Sequence, residues 1–241
     1  MDDYEGKNPL GQVGSAAMLP DPKYFLFDVK MLIGEGMPVW QDDQKFIDQY
    51  NLVKDFTLVS PFRLFPLFQF AQRANLLKGD FAQVGVYRGG SAQLIAAVKD
   101  PNKTFYLFDT FEGLPNTDER FDFYKKGRFA DTSEQEVRER LQGMRGIEIT
   151  KGVFPGSAQT QHHDAAYAFV YLDVDIYQSN LDALSFFYPR MIEGGMIVID
   201  DYGWANTPGI AKSVTDFIDQ AAPKLRPIVT TKYQCLLIKD T

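Results

Sequence analysis

Five short apolar runs, at residues 81–86, 104–108, 147–150, 167–172 and 196–199, are each separated by a longer polar or amphipathic stretch. This rhythm constrains the fold more than any other feature. A strand buried on both faces reads as a continuous apolar run, and returning to start a parallel neighbour takes a crossover of a dozen or more residues. The five runs therefore predict a doubly wound parallel sheet with helices on both faces. The last two runs, 227–231 and 234–239, are joined by a turn too short for any crossover, so they must pair antiparallel. The expected architecture is α/β: a mostly parallel seven-stranded sheet that ends in a C-terminal antiparallel hairpin.

Ahead of the sheet, apolar residues recur at helical spacing through Phe46, Ile47 and Tyr50, then Leu64, Leu67, Phe68 and Ala71. Two N-terminal helices are predicted over 42–74, with the aromatic run 62–70 as a packing face. Residues 1–41 form an N-terminal arm and 42–241 a single domain, since 241 residues are short for two separate cores. Up to Pro22 the arm carries Gly, Asp, Asn and Pro with little periodicity. One long irregular stretch, 110–130, has the composition of a lid loop.

A formal charge of -7 and the absence of a Lys/Arg-rich stripe argue against nucleic acid as the partner. Cys235 is the only cysteine, so no internal disulfide can form, and its apolar neighbours place it in a buried strand. No stretch approaches the length of a membrane span and no leader pattern opens the chain, so a cytoplasmic location is expected.

Three motifs carry chemistry. The first run passes into Gly85-Val86-Tyr87-Arg88-Gly89-Gly90-Ser91 and then a helix. Glycines there let a ligand approach the backbone, and free N–H groups at the helix start can hold an anion. The spacing is not GxGxxG, which counts against a dinucleotide pyrophosphate; a plain structural turn is the competing explanation. The second run ends at Asp109, followed by Thr110. An acid about twenty residues after a glycine turn, on the neighbouring strand, is placed to accept the ribose hydroxyls of an adenosine; a turn or helix-cap Asp is the alternative.

The third motif is a quartet: Asp173 and Asp175 after the fourth run, Asp200 and Asp201 after the fifth. Both pairs stand at the carboxyl ends of adjacent strands, where open α/β sheets bind ligands. Carboxylates converging there need a counter-charge, and all-oxygen ligands suit a hard divalent ion such as Mg²⁺. Asp173 and Asp175 are two apart, so on an extended strand they face the same way. Helix capping is the competing use, with Asp201 the best placed for it. His162 and His163, in a polar stretch with Gln159 to Gln161, are expected on the surface.

Together these motifs resemble the macrocin O-methyltransferase family, which methylates sugar hydroxyls of macrolide and aminocoumarin natural products using S-adenosylmethionine and Mg²⁺. The resemblance runs from about Asp55 to Ile218 and rests on Val84 to Ser91, Asp109-Thr110-Phe111-Glu112-Gly113-Leu114-Pro115, Asp131-Thr132-Ser133, Lys151-Gly152-Val153-Phe154-Pro155, Leu172-Asp173-Val174-Asp175-Ile176-Tyr177, and Asp200-Asp201-Tyr202. It implies a Rossmann-like class I methyltransferase fold with sheet order 3-2-1-4-5-7-6. It also implies metal ligation by Asp173, Asp200 and Asp201, and Asp175 as the base that takes the acceptor's proton. Gln83, Gly85, Tyr87, Gly89, Gly90, Ser91 and Asp173 would meet the methionine end of the cofactor, with Thr57 and Leu58 beside it. Asp109 and Thr110 would meet the ribose, and Ser133, Gly152, Val153 and Phe154 the adenine. Many members carry an acid where this chain has Gln83, which accepts a hydrogen bond but brings no charge to the methionine ammonium.

The expected reaction is methyl transfer from S-adenosylmethionine to a hydroxyl of a small molecule, a sugar moiety by the resemblance, with self-association left open. Two rivals remain at this level. A nicotinamide-dependent oxidoreductase shares the first strand and the Asp109 logic but leaves the hairpin and the acidic quartet unexplained. A non-catalytic S-adenosylmethionine-binding protein has no use for the quartet.

Overall fold

The structure, a computed structural model, describes residues 39–240. The chain divides into two compact units, Met1–Gln44 and Lys45–Thr241. The expected arm, 1–41, lies outside the described residues apart from its last three; the sheet and the cavity belong to the second unit.

Helices α1 (Gln44–Val53) and α2 (Pro61–Ala74) precede the sheet, as the spacing predicts. Phe46 of α1 meets Phe65 and Phe68 of α2 edge-on, with ring centroids 5.0 and 5.4 Å apart. The aromatic run of α2 is thus a packing face, and Pro61 opens that helix where a missing N–H costs nothing.

The sheet comes next: β1 (Asp80–Val84), α3 (Gly90–Ala96), β2 (Phe105–Asp109), α4 (Glu134–Arg140), β3 (Ile147–Lys151), α5 (Thr160–Asp164), β4 (Tyr167–Leu172), α6 (Tyr177–Phe187), β5 (Met191–Asp200), α7 (Pro208–Ala221), β6 (Ile228–Thr231) and β7 (Gln234–Ile238). The strand order is β3-β2-β1-β4-β5-β7-β6. The first five strands pair parallel, while β7 pairs antiparallel with both β5 and β6. The whole expected sheet is present. Cys235 lies fully buried on β7.

Alternate strand residues serve opposite layers. Ala82, Val84, Tyr106, Phe108, Val170, Leu172, Ile197 and Ile199 join a core with Phe154 and the inner faces of α6 and α7. From the intervening positions, Phe81 packs edge-on against Phe105 and tilted against Phe169. Each fully buried large side chain contributes about 1.5–3 kcal/mol, so the two layers hold the strand ends as a rigid platform.

Four local expectations need correction. The first strand ends at Val84 rather than 86, and the fifth is longer than 196–199, beginning at Met191. His162 is not a surface residue: it lies in the short helix α5, which the polar composition concealed, and is 1% exposed. Its ring packs edge-on against Tyr106 and Phe108, and its Nδ1 accepts the backbone N–H of Gln159. One hydrogen bond and two aromatic faces suffice to bury an imidazole in a stretch that reads as polar. Finally, β4 stops at Leu172, so Asp173 and Asp175 do not share an extended strand.

Candidate active site

The strand order reverses between β1 and β4, and the cavity opens at that switch point. At the end of β1, Gly85 has φ +84 and lies so close to β4 that a Cβ would overlap the carbonyl oxygen of Asp173 and sit 2.7 Å from its carbonyl carbon. Asp173 N donates to Val84 O at 3.0 Å. Gly90 answers a second close approach: a Cβ there would lie 2.6 Å from Phe56 O and 2.8 Å from Thr57 Cβ. These glycines bring pieces of backbone together. Gly89, at φ +84, is the left-handed residue that starts α3.

Asp109 ties the turn to β2. Its Oδ2 accepts Val86 N at 2.6 Å and Tyr87 N at 2.8 Å, and its Oδ1 accepts Phe111 N at 2.7 Å. Three of the roughly four acceptor positions of the carboxylate are taken, leaving one towards the cavity. Gln83 is fully buried; its Nε2 donates to Gly85 O and Ser91 Oγ, while its Oε1 has no donor among the described residues.

The carboxylate quartet stands on the other side of the switch. Ligand oxygens of Asp173, Asp175 and Asp201 lie within 4.8 Å of one another. Asp175 and Asp201 both have left-handed backbones, φ +62 and +60, which turn their side chains inward where an extended chain would not. Such strain in non-glycine residues gathers at functional sites. Asp201 caps no helix, since Thr207 occupies the N-cap of α7.

Asp200 turns to different partners. Its Oδ2 meets Arg63 Nη1 at 2.7 Å and its Oδ1 accepts Gln234 Nε2 at 3.2 Å; the same Arg63 nitrogen reaches Asp201 Oδ1 at 2.7 Å. Tyr171 OH donates to Asp173 Oδ2 at 3.3 Å. Burial, then the neighbouring acids, push Asp173 and Asp175 well above the usual carboxylate range. Burial also raises Asp200, to about 7, against the opposing pull of Arg63. Burial alone would lower Arg63, but Asp200 and Asp201 outweigh it and hold the guanidinium charged.

Of the residues expected at the site, Thr57, Leu58, Gly85, Tyr87, Ser91, Asp109, Thr110, Gly152, Val153, Phe154 and the four acids line this one cavity. Gln83, Gly89, Gly90 and Ser133 are not on its wall. Ser133 is the N-cap of α4, its Oγ accepting Glu136 N at 3.2 Å. Sequence reasoning missed Arg63, Tyr124, Arg128, Phe129 and Trp204, which also line the cavity. The loop 110–130 brings three of them in and is tied down by buried Asp122, which accepts the N–H groups of Tyr177 and Asp118. A charged residue within the apolar first half of α2 was the one available signal for Arg63; the loop and Trp204 offered none.

A seven-stranded sheet in this order, with its cavity at the β1/β4 switch point, defines the class I methyltransferase fold. The described helices include none long and apolar enough to cross a membrane. The chain belongs to the macrocin O-methyltransferase (TylF) family, whose sequence pattern matches residues 55–235. Among relatives, it is 27% identical over 143 residues to demethyldecarbamoylnovobiocin O-methyltransferase of Streptomyces niveus, covering 53% of this chain and 54% of that one. It is 28% identical over 143 residues to 8-demethyl-8-(2,3-dimethoxy-alpha-L-rhamnosyl)-tetracenomycin-C 4'-O-methyltransferase of Streptomyces olivaceus, covering 54% and 55%. The matches thus span about half the length of these relatives. The solved O-methyltransferase NovP superposes with a TM-score of 0.67 at 22% identity, over 77% of this chain and 83% of that one.

Proposed function

We propose that this chain transfers the methyl group of S-adenosylmethionine to a sugar hydroxyl of a small molecule, with a divalent ion such as Mg²⁺ held by its carboxylates. The observation that carries the reading is the convergence, in one cavity, of the glycine turn, Asp109 and the acidic quartet. The rhamnosyl acceptor in the name of the Streptomyces olivaceus relative supports a sugar.

The residues fit both ligands. Ser91, whose Oγ is held by the buried Gln83 Nε2, lines the cavity where the methionine end is expected, and the remaining acceptor position of Asp109 suits a ribose hydroxyl. Val153 is 54% exposed on the cavity wall, apolar surface that an adenine ring would cover. An all-carboxylate set of oxygens suits a hard ion. Following the family resemblance we assign Asp173, Asp200 and Asp201 to it: Asp173 and Asp201 belong to the compact oxygen group, and Asp200 joins Asp201 on the Arg63 guanidinium.

Bound there, the ion would supply positive charge that lowers the pKa of the acceptor hydroxyl. Asp175 then takes the proton, its left-handed backbone placing the carboxylate within the acidic group. The donor is already activated, so much of the acceleration comes from holding oxygen and methyl in line. Tyr124, Phe129 and Trp204 offer aromatic walls for the acceptor.

The test is calorimetric titration with S-adenosylmethionine and with a nicotinamide cofactor, followed by product analysis on rhamnosylated acceptors with Mg²⁺ or excess chelator. Binding of S-adenosylmethionine alone and chelator-sensitive methylation are expected. Preference for the nicotinamide, or full turnover in chelator, contradicts the proposal.

A further inference from the structure

The quartet contains a cation of its own. Arg63, brought from α2 across 137 residues of sequence, places one guanidinium nitrogen 2.7 Å from Asp200 and 2.7 Å from Asp201. Its side chain is 8% exposed, those of its partners 1% and 7%. The Trp204 ring stands 5.5 Å from its guanidinium carbon, and Gln234 Nε2 bridges Arg63 O to Asp200 Oδ1 at 3.2 Å each. This is a built arrangement rather than a surface ion pair.

The arrangement has two physical consequences. Buried carboxylates this close repel one another strongly unless a cation lies among them. A positive charge already bound to two of them also reduces their attraction for any further cation. Resting on the metal-assisted reading above, we propose that Arg63 is a positioning residue and resident counter-cation. It keeps the carboxylate site shaped in the absence of metal, and by sharing Asp200 and Asp201 it lowers the affinity of the site for the divalent ion. The site is thereby preformed yet exchangeable: the ion enters a shaped cavity and is not needed to fold it.

The experiment uses the full chain stripped of metal, without donor or acceptor, and compares wild type with Arg63→Met and Arg63→Lys. Methionine keeps much of the stem but removes charge and donors; lysine keeps the charge. Melting is recorded with and without Mn²⁺, and Mn²⁺ affinity is measured by calorimetry. Arg63→Met should melt lower without metal, gain more than wild type when Mn²⁺ is added, and bind Mn²⁺ roughly tenfold or more tighter. Arg63→Lys should stay near wild type in affinity. Folding of Arg63→Met only in the presence of Mn²⁺ also supports the proposal. A folded Arg63→Met that binds Mn²⁺ no tighter than wild type overturns it. If Arg63→Met folds under neither condition, Arg63→Lys decides, and a large loss of Mn²⁺ affinity with the charge retained overturns the proposal. Wild type that binds no divalent ion at all removes the metal reading itself, a result distinct from unchanged affinity in the variant.

Discussion

Replacing Asp175 by asparagine separates the base from the ligands with little disturbance of the fold. The backbone there is left-handed, φ +62, a region that asparagine tolerates and alanine enters at a cost of about 1–2 kcal/mol. Asp175→Asn therefore removes basicity without adding that strain, and its amide stays beside the Asp201 carboxylate. Loss of a general base lowers the chemical step roughly 10²–10⁴-fold, equivalent to about 2.7–5.4 kcal/mol in the barrier. The assay is single-turnover methyl transfer under saturating donor and acceptor, paired with calorimetric titration of Mn²⁺. Transfer should fall by that factor while metal and cofactor affinities stay within a few-fold of wild type. Because Asp175 lies in the compact oxygen group with Asp173 and Asp201, the opposite outcome is well defined. Transfer close to wild type means Asp175 is not the base, and collapse of Mn²⁺ affinity means it is a ligand.

Two further outcomes probe the frame. Gly85→Ala would place a Cβ on the Asp173 carbonyl at φ +84; with left-handed strain and overpacking together it should lose about 2–5 kcal/mol in denaturant melts, and a loss under about 1 kcal/mol would refute the close approach. Burial holds the His162 imidazole below the usual 6.5. A group depressed in the folded state contributes stability that is present above its unfolded pKa and lost as pH falls through the folded one. Melting should therefore decline on acidification below about 6.5 more steeply in wild type than in His162→Gln, whose amide oxygen can still accept Gln159 N–H; parallel curves would exclude the effect.

The periodic parts of the fold were legible in the sequence because they depend on neighbours along the chain. Apolar runs spaced by crossover lengths specify parallel strands, and the short turn before Gln234 permits only an antiparallel partner for β6. The two acidic pairs line the cavity because each follows a strand, and strand ends at the switch point are where open α/β sheets bind ligands. What each acid does there was not legible. Asp173 and Asp175 were expected to share a face of an extended strand; instead β4 stops at Leu172 and a left-handed turn brings them together. Ser133 matched a motif, yet its hydroxyl caps α4.

Chain order and period determined the sheet, its direction and the location of the site. Only the tertiary structure decided the charge state and company of the site, because these come from contacts with no sequence period. Arg63 reaches Asp200 across 137 positions, and Asp109 accepts two N–H groups of the turn after β1, those of Val86 and Tyr87. His162 is buried by aromatic rings from β2. Local pattern reports which way a side chain faces, whereas burial and long-range partners set what it can hold or release.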